Sequence, residues 1–265
     1  MPSQINIKGQ MLKQDFARVL RDGSGNIVGI QGPVGEVFDP NPVVINWADL
    51  PDPSTVPPFT PVWVNPASMF AGVYRSKIPI TFITNDDQSL WLPFGEQIIY
   101  GGSGSVSAPL VTGTAAVAGT RIPFLSSGNT PKLPAGLMYL GMRIIVRMHA
   151  RKTGADANAS QMYVTMGRNN DITQSDFLFN SSTGAVAGRE ADVHTEARIT
   201  ALGEHTVAKF TTVKSITDTF PTVVGATDQQ SKLNTGLDNY VLLGIDATTG
   251  ATHDLIYFNV SIAPF

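Results

Sequence analysis

Between residues 141 and 151 apolar and charged side chains alternate: Met142, Ile144, Val146 and Met148 share one parity, and Arg143, Arg147, His149 and Arg151 share the other. A period of two belongs to a half-buried β-strand and conflicts with the 3.6-residue period of a helix face. A slip of one residue would turn the arginines inward, so the register is specified. Residues 254–265, DLIYFNVSIAPF, repeat the pattern, with Ile256, Phe258, Val260 and Ile262 on one face and Tyr257, Asn259 and Ser261 on the other. Six further strand candidates, 107–117, 161–167, 176–180, 193–201, 206–214 and 239–246, bring the count to eight. They are separated by loops rich in Gly, Asn, Asp and Thr, with no helix of three turns between them, which argues against βαβ units. The expected fold is all-β: an eight-stranded jelly-roll-like sandwich, the natural closure for eight antiparallel strands. No fixed-period repeat points to a propeller or β-helix.

Upstream the constraint is proline. Eight of the eighteen prolines fall between Pro40 and Pro66; each fixes φ, removes an amide donor and biases the preceding residue away from the α region. A long helix is excluded there, and a stiff, extended neck is expected. Short strands are expected at 43–45, 62–64, 80–84, 89–92 and 97–100, forming a small β module anchored by Trp47, Trp63 and Trp91. Gly101-Gly102-Ser103-Gly104-Ser105 reads as a flexible joint. In the first 35 residues, Leu12, Phe16, Val19 and Leu20 fit a short amphipathic helix, but VLRD-GSG-NIVGI reads better as two strands around a turn, since Gly23 and Gly25 would each cost a helix about 1 kcal/mol. The expected division is an attachment segment (1–45), a neck with the small module (46–105) and a sandwich head (106–265). Residues 1 to about 66 are expected to gain order only against another protein, and 107–265 to fold without them.

The segment NWADLPDPSTVPPFTPVWVNPASMFAGVYRS, continued by DDQSLWLPFGEQIIYGG, resembles the small Trp-anchored module of structural proteins of tailed bacteriophages, in which an xLPxPSxVPxGTxVxV phrase precedes a short W-x-P-x-G hairpin. Ala48, Leu50, Pro51, Pro53, Val56, Pro57, Val62, Val64, Trp91, Pro93 and Gly95 carry the match. Pro58-Phe59-Thr60 departs from it, standing where the phrase has a Gly-Thr turn. The following SVSAPLVTGTAA and PAGLMYLGMRIIVRMHARKTG are similar to the opening strands of β-sandwich heads on phage tail fibres. The resemblance covers residues 46–265 and implies a virion component, commonly a homotrimer. The expected function is therefore a trimeric tail fibre or similar appendage that docks to other virion proteins by its N-terminal segment, its head binding a host-surface glycan or protein. The alternatives are a capsid-stabilising or collar protein touching only virion proteins, and a non-viral carbohydrate-binding module.

Chemistry is sparse. Without cysteine there are no disulfides, thiolate metal sites or Cys nucleophile. A net charge of −3 with 15% charged residues gives no nucleic-acid footprint. No signal-peptide pattern or run of about 18 apolar residues is found, so synthesis in a host cytoplasm without membrane insertion is expected. His149, His194, His205 and His253 lack metal-ligand spacing. Asp171 with Asp176, and Asp246 with Asp254, do not match the EF-hand series. Glu190, Asp192 and Glu196 supply acidic groups in one neighbourhood, and they read as solvated charges more than as the paired carboxylates of glycoside cleavage. The Gly101–Ser105 run lacks the Gly-Lys-Ser/Thr of a phosphate loop. No catalytic residue, metal or cofactor is expected. The stripe Arg143, Arg147, His149, Arg151 and Lys152 is the strongest charge feature, read either as a solvated sheet face or as a contact for a neighbouring subunit or an anionic glycan.

Overall fold

A computed structural model describes residues 6–7, 10–11, 18–21, 24, 27–31, 37–38, 43–114, 121–153, 160–173, 176–184, 190–203, 206–216, 219–246 and 252–265. The chain divides into two units, 1–44 and 45–265. In the first, β1 (Asn6–Ile7) pairs with β2 (Gln10–Met11), and β3 (Arg18–Arg21), β4 (Ile27–Gln31) and β5 (Val37–Phe38) form a three-stranded antiparallel sheet. The expected hairpin is thus β3–β4, with Arg18 opposite Gln31. Leu12 and Phe16, from the helical alternative, lie outside the described residues.

The second unit begins with short elements that proline dictates. After β6 (Val44–Ile45) come two single 3-10 turns, Trp47–Asp49 and Pro53–Thr55, then β7 (Pro61–Val64), the one-turn helix α1 (Pro66–Met69), β8 (Ile80–Thr84) and β9 (Trp91–Pro93). Both Pro53 and Pro66 sit in the first helical turn, where the missing N–H costs nothing, behind caps whose side chains accept from Ser54 N (Asp52, 2.9 Å) and Ala67 N (Asn65, 3.0 Å). β6–β9 form a four-stranded sheet in sequence order. The tryptophans are not its core. All three are half-buried, and Val64, Met69, Phe70, Ile80 and Phe82 fill the interior instead. Trp47 leans on Phe82 (ring centroids 5.7 Å apart), and Trp91 donates its indole N–H to Pro51 O (2.8 Å), each keeping an amphipathic ring at the margin.

The departure at Phe59 is absorbed by backbone strain. Phe59 has φ 60°, the left-handed region that the Gly of the phrase would occupy freely. The turn still closes, Thr60 and Thr84 hydroxyls both donating to Pro57 O at 2.7 and 2.8 Å. A left-handed non-glycine residue costs about 1–3 kcal/mol and glycine's extra chain entropy returns about 0.5–1. Since the Phe59 ring is largely exposed, Phe59→Gly should raise unfolding stability by about 1 kcal/mol in urea denaturation, whereas a loss would show that the ring carries a contact outweighing the strain.

The remaining strands are β10 (Gln97–Ser103), β11 (Val111–Thr114), β12 (Arg121–Pro123), β13 (Lys132–Leu133), β14 (Arg143–Lys152) and β15 (Ser160–Gly167). They continue with β16 (Asp176–Gly184), β17 (Glu190–Ile199), β18 (Thr206–Ile216), β19 (Thr219–Leu233), β20 (Asn239–Asp246) and β21 (Thr252–Ala263). A seven-stranded sheet runs β10-β21-β14-β17-β18-β19, with β11 also on β21, and a five-stranded sheet runs β12-β20-β15-β16, with β13 also on β20. Ile144, Val146 and Met148 of the first share one core with Met162, Val164, Met166, Val241, Leu243 and Ile245 of the second. The fold is an all-β antiparallel sandwich of jelly-roll type. All eight expected strands form; β12, β13 and β19 add to them.

Two details differ from the alternation. β14 and β21 shift register between His149 and Ala150, so that Met148 faces Phe258 but Ala150 faces Leu255. This bulge reverses the parity of β21 below Tyr257: Leu255 joins the shared core and Ile256, expected there, does not. Lys152, expected on the charged face, has the parity of Ala150 and is fully buried beside His253. Gly101 and Gly102, expected in a joint, are strand residues of β10 opposite Asn259 and Phe258. The 46–105 and 106–265 stretches lie in the same unit, and Phe70, Ile99 and Tyr100 belong to the same core as Phe258 and Val260. Among the described residues no helix is long and apolar enough to cross a membrane.

Candidate functional site

The side chains with chemistry gather on the outer face of the seven-stranded sheet. On β14 and β17 the alternation points Arg143, Arg147, His149 and Arg151 outward beside Glu190, Asp192, His194 and Glu196. Register then decides the pairs: His149 stands opposite Asp192 and Arg151 opposite Glu190. His149 Nδ1 lies 2.7 Å from Asp192 and its Nε2 3.5 Å from Glu190, Arg151 Nε reaches Glu190 at 3.9 Å, and Arg143 reaches Glu196 at 3.5 Å. Arg147 reaches the other way, across β21, to the carboxylate of Glu96, with its Nη2 3.2 Å from Oε2. The basic stripe is therefore neither bare nor simply solvated. Each such surface pair contributes about 0–1 kcal/mol, so the ladder fixes which strand lies beside which more than it adds stability.

Beside the ladder lies a groove of about 810 Å³. Its wall is the chain from Val73 to Ile80 and its floor is β10 and β21, where Gly101 brings no side chain between Ile98, Ser103, Tyr257 and Asn259, while Leu110 and Tyr74 pack against Gly102. The 74–76 segment is fastened along β10, Ser76 N donating to Ile99 O and Gly101 N to Tyr74 O, both at 2.8 Å. The rim is apolar: Val73 is 74% exposed, Ile78 75% and Ile98 50%. The floor is polar. Asn259 is buried, its Nδ2 meets the Tyr257 hydroxyl, and its Oδ1 has no protein partner. Lys77 stands exposed on the wall, and Arg75 donates to Gly72 O at 2.9 Å.

The hydrogen bond from Arg147 holds the Glu96 carboxyl below the usual carboxylate range, against a smaller opposing effect of burial. His194 is held low by desolvation and then by the Arg147 charge, against the attraction of Glu196 and Glu96. Both shifts weaken the fold in acid: the unfolded chain takes up the histidine proton as pH falls below 6.5 and the carboxyl proton below 4.5, before the folded protein does. Glu96→Gln should therefore flatten the fall in Tm below pH 4.5, and His194→Asn the fall beginning at 6.5. Thermal scans at half-unit pH steps check both, and unchanged profiles would place the acid sensitivity elsewhere.

Of the other residues considered from sequence, His205 lies outside the described residues, as do the side chains of Asp176 and Asp246. Asp171 accepts from Thr173 N at 2.8 Å, an ordinary turn, and Asp254 accepts from Thr112 Oγ1 at 2.7 Å. Glu190, Asp192 and Glu196 are counter-charges to β14. Among the described residues no group of three His, Asp or Glu side chains converges on a metal position. The groove was missed: its residues come from three distant segments, and only a glycine inside a strand, Gly101, hinted at an open floor.

No family model matches the chain, and no curated protein does. Among solved structures it is similar to a Lotus tetragonolobus seed lectin isoform, at 13% identity over 60% of this chain and 86% of the lectin, with a TM-score of 0.28. It is also similar to Eiger TNF from S. frugiperda, at 13% identity over 62% of this chain and 90% of that one, with a TM-score of 0.26.

Proposed function

We propose that the protein is a structural component of a tailed-bacteriophage virion, a tail fibre or similar appendage, acting through non-covalent contact. The observation that carries this reading is where the unburied apolar side chains lie. Of the eleven large apolar residues that are exposed among the described residues of the 45–265 unit, seven fall between Phe59 and Val106, six of them between Phe59 and Ile98 in the stretch that resembles the phage module. A lone exposed apolar residue is normal, but such a concentration marks a surface that meets other proteins. Attachment through the N-terminal unit, contact of this surface with other virion proteins, and presentation of the outer sheet face to a host-surface glycan or protein complete the reading. As a homotrimer the protein would turn weak single contacts into avidity; light scattering should give about three times the 28.3 kDa chain mass, and a clean monomer at micromolar concentration would remove this part. The reading as a whole is tested by gold-labelled antibody against residues 45–265 on purified virions from a lysate encoding the chain. Label on the tail or fibres is expected, label confined to the head or collar would favour a capsid-stabilising role, and unlabelled particles would overturn the virion assignment.

A further inference from the structure

We infer that the groove between 73–80 and the β10–β21 floor binds a carboxylated saccharide. The inference names a ligand for the host-contact reading above. Charge is the first argument. Among the described residues Glu96 is the only carboxylate lining the groove and is engaged by Arg147, while Arg75 and Lys77 stand on the 73–80 wall without an acidic partner among the lining residues. The occupant favoured by this field is an anion. The surface chemistry then selects among anions. Val73, Ile78 and Ile98 offer aliphatic contacts suited to the C–H face of a sugar ring, and the Tyr257 hydroxyl, the Asn259 amide and Ser103 offer donors and acceptors suited to its hydroxyls. Asn259 Oδ1, buried beneath the floor with no protein partner, leaves an unmet acceptor just under the surface that a ligand would cover.

An acidic peptide fits less well. Peptides commonly dock by adding a strand to a sheet edge, and the edge of β10 beside this groove is already taken by the backbone bonds to Tyr74 and Ser76. The volume lies within the roughly 300–1,000 Å³ of small-molecule sites, enough for a short stretch of linked sugars.

The test titrates the full chain, by isothermal calorimetry, with oligogalacturonate and with sialyllactose. The controls are methyl-esterified oligogalacturonate, which keeps the rings and loses the charge, and oligoglutamate, which keeps the charge and loses the rings. Two variants report the site. Lys77→Glu reverses an exposed charge. Gly101→Val fills the floor, and a Cβ there would lie 3.4–3.5 Å from its nearest neighbours, an ordinary contact at a φ outside the left-handed region. Binding of at least one acidic saccharide is expected, at least fivefold weaker in each variant at unchanged Tm and at least fivefold weaker for the ester. Equal binding of the ester, equal or tighter binding of oligoglutamate, indifference to both variants, or no binding of either saccharide at 10 mM would each overturn the inference. These outcomes leave the location on the virion untouched, and the antibody labelling leaves the groove untouched, so the two readings fail separately.

Discussion

A chain shortened to begin at Val106 is expected to aggregate, while one beginning at Ile45 stays soluble and β-rich. The shorter chain loses β10, and with it six register pairs along β21. It also loses Phe70, Ile99 and Tyr100, each 2% exposed or less and each part of the core that includes Phe258 and Val260. Fully burying one large apolar side chain is worth about 1.5–3 kcal/mol. Three of them approach the whole 5–15 kcal/mol by which a domain is stable. The stripped flank of β21 would also present an apolar edge, the usual template for aggregation. Cutting at Ile45 follows the boundary between the two units. Circular dichroism and size exclusion of both chains decide the matter: a soluble, cooperatively unfolding 106–265 chain would show that the sandwich stands without β10.

The second large effect is at Phe258. Its ring is fully buried, faces Met148 across the ladder and meets Tyr74 edge-on at 5.6 Å and 77°. Phe258→Ala should cost about 3–5 kcal/mol through lost transfer energy and the cavity left behind. The bulge adds a sharper comparison. Leu255→Ala should cost more than Ile256→Ala, because the register shift turns Leu255 into the shared core. Reversible urea unfolding measures all three; a loss under about 1 kcal/mol for Phe258, or the reverse order for the other pair, would contradict the packing described.

Much of this was legible from alternation. β14 and the upper half of β21 announced both their faces, since a strand half in water must spend every second residue on solvent. A bulge is one extra residue with no composition of its own, so the reversal at Leu255 could not be read. β19 was missed because TFPTVVGATDQQSKL mixes proline, glycine and polar residues, a composition tolerated at a sheet edge, where it pairs only with β18 in the sheet order. The tryptophans misled because large aromatics suggest a centre, whereas indole N–H groups need partners that margins supply more easily. At the candidate site, the basic stripe and the acidic series were each visible. Their pairing was not, because it depends on β14 and β17 being neighbours across about fifty residues of chain. The groove depends on three separate segments meeting, and nothing local to any of them encodes that meeting.

β21 lies between β10 and β14 although it is the last strand in chain order. During synthesis both of its neighbours therefore emerge from the ribosome long before it does, and each waits with an open edge for a partner more than a hundred residues away. The seven-stranded sheet cannot close until residue 263 has cleared the exit tunnel. Folding of this unit is consequently a single late event, slow by the rule that long-range pairing retards closure. A message broken between the codons of β14 and those of β21 would yield a chain with two unsatisfied edges, a product that quality-control proteases can distinguish from the finished one.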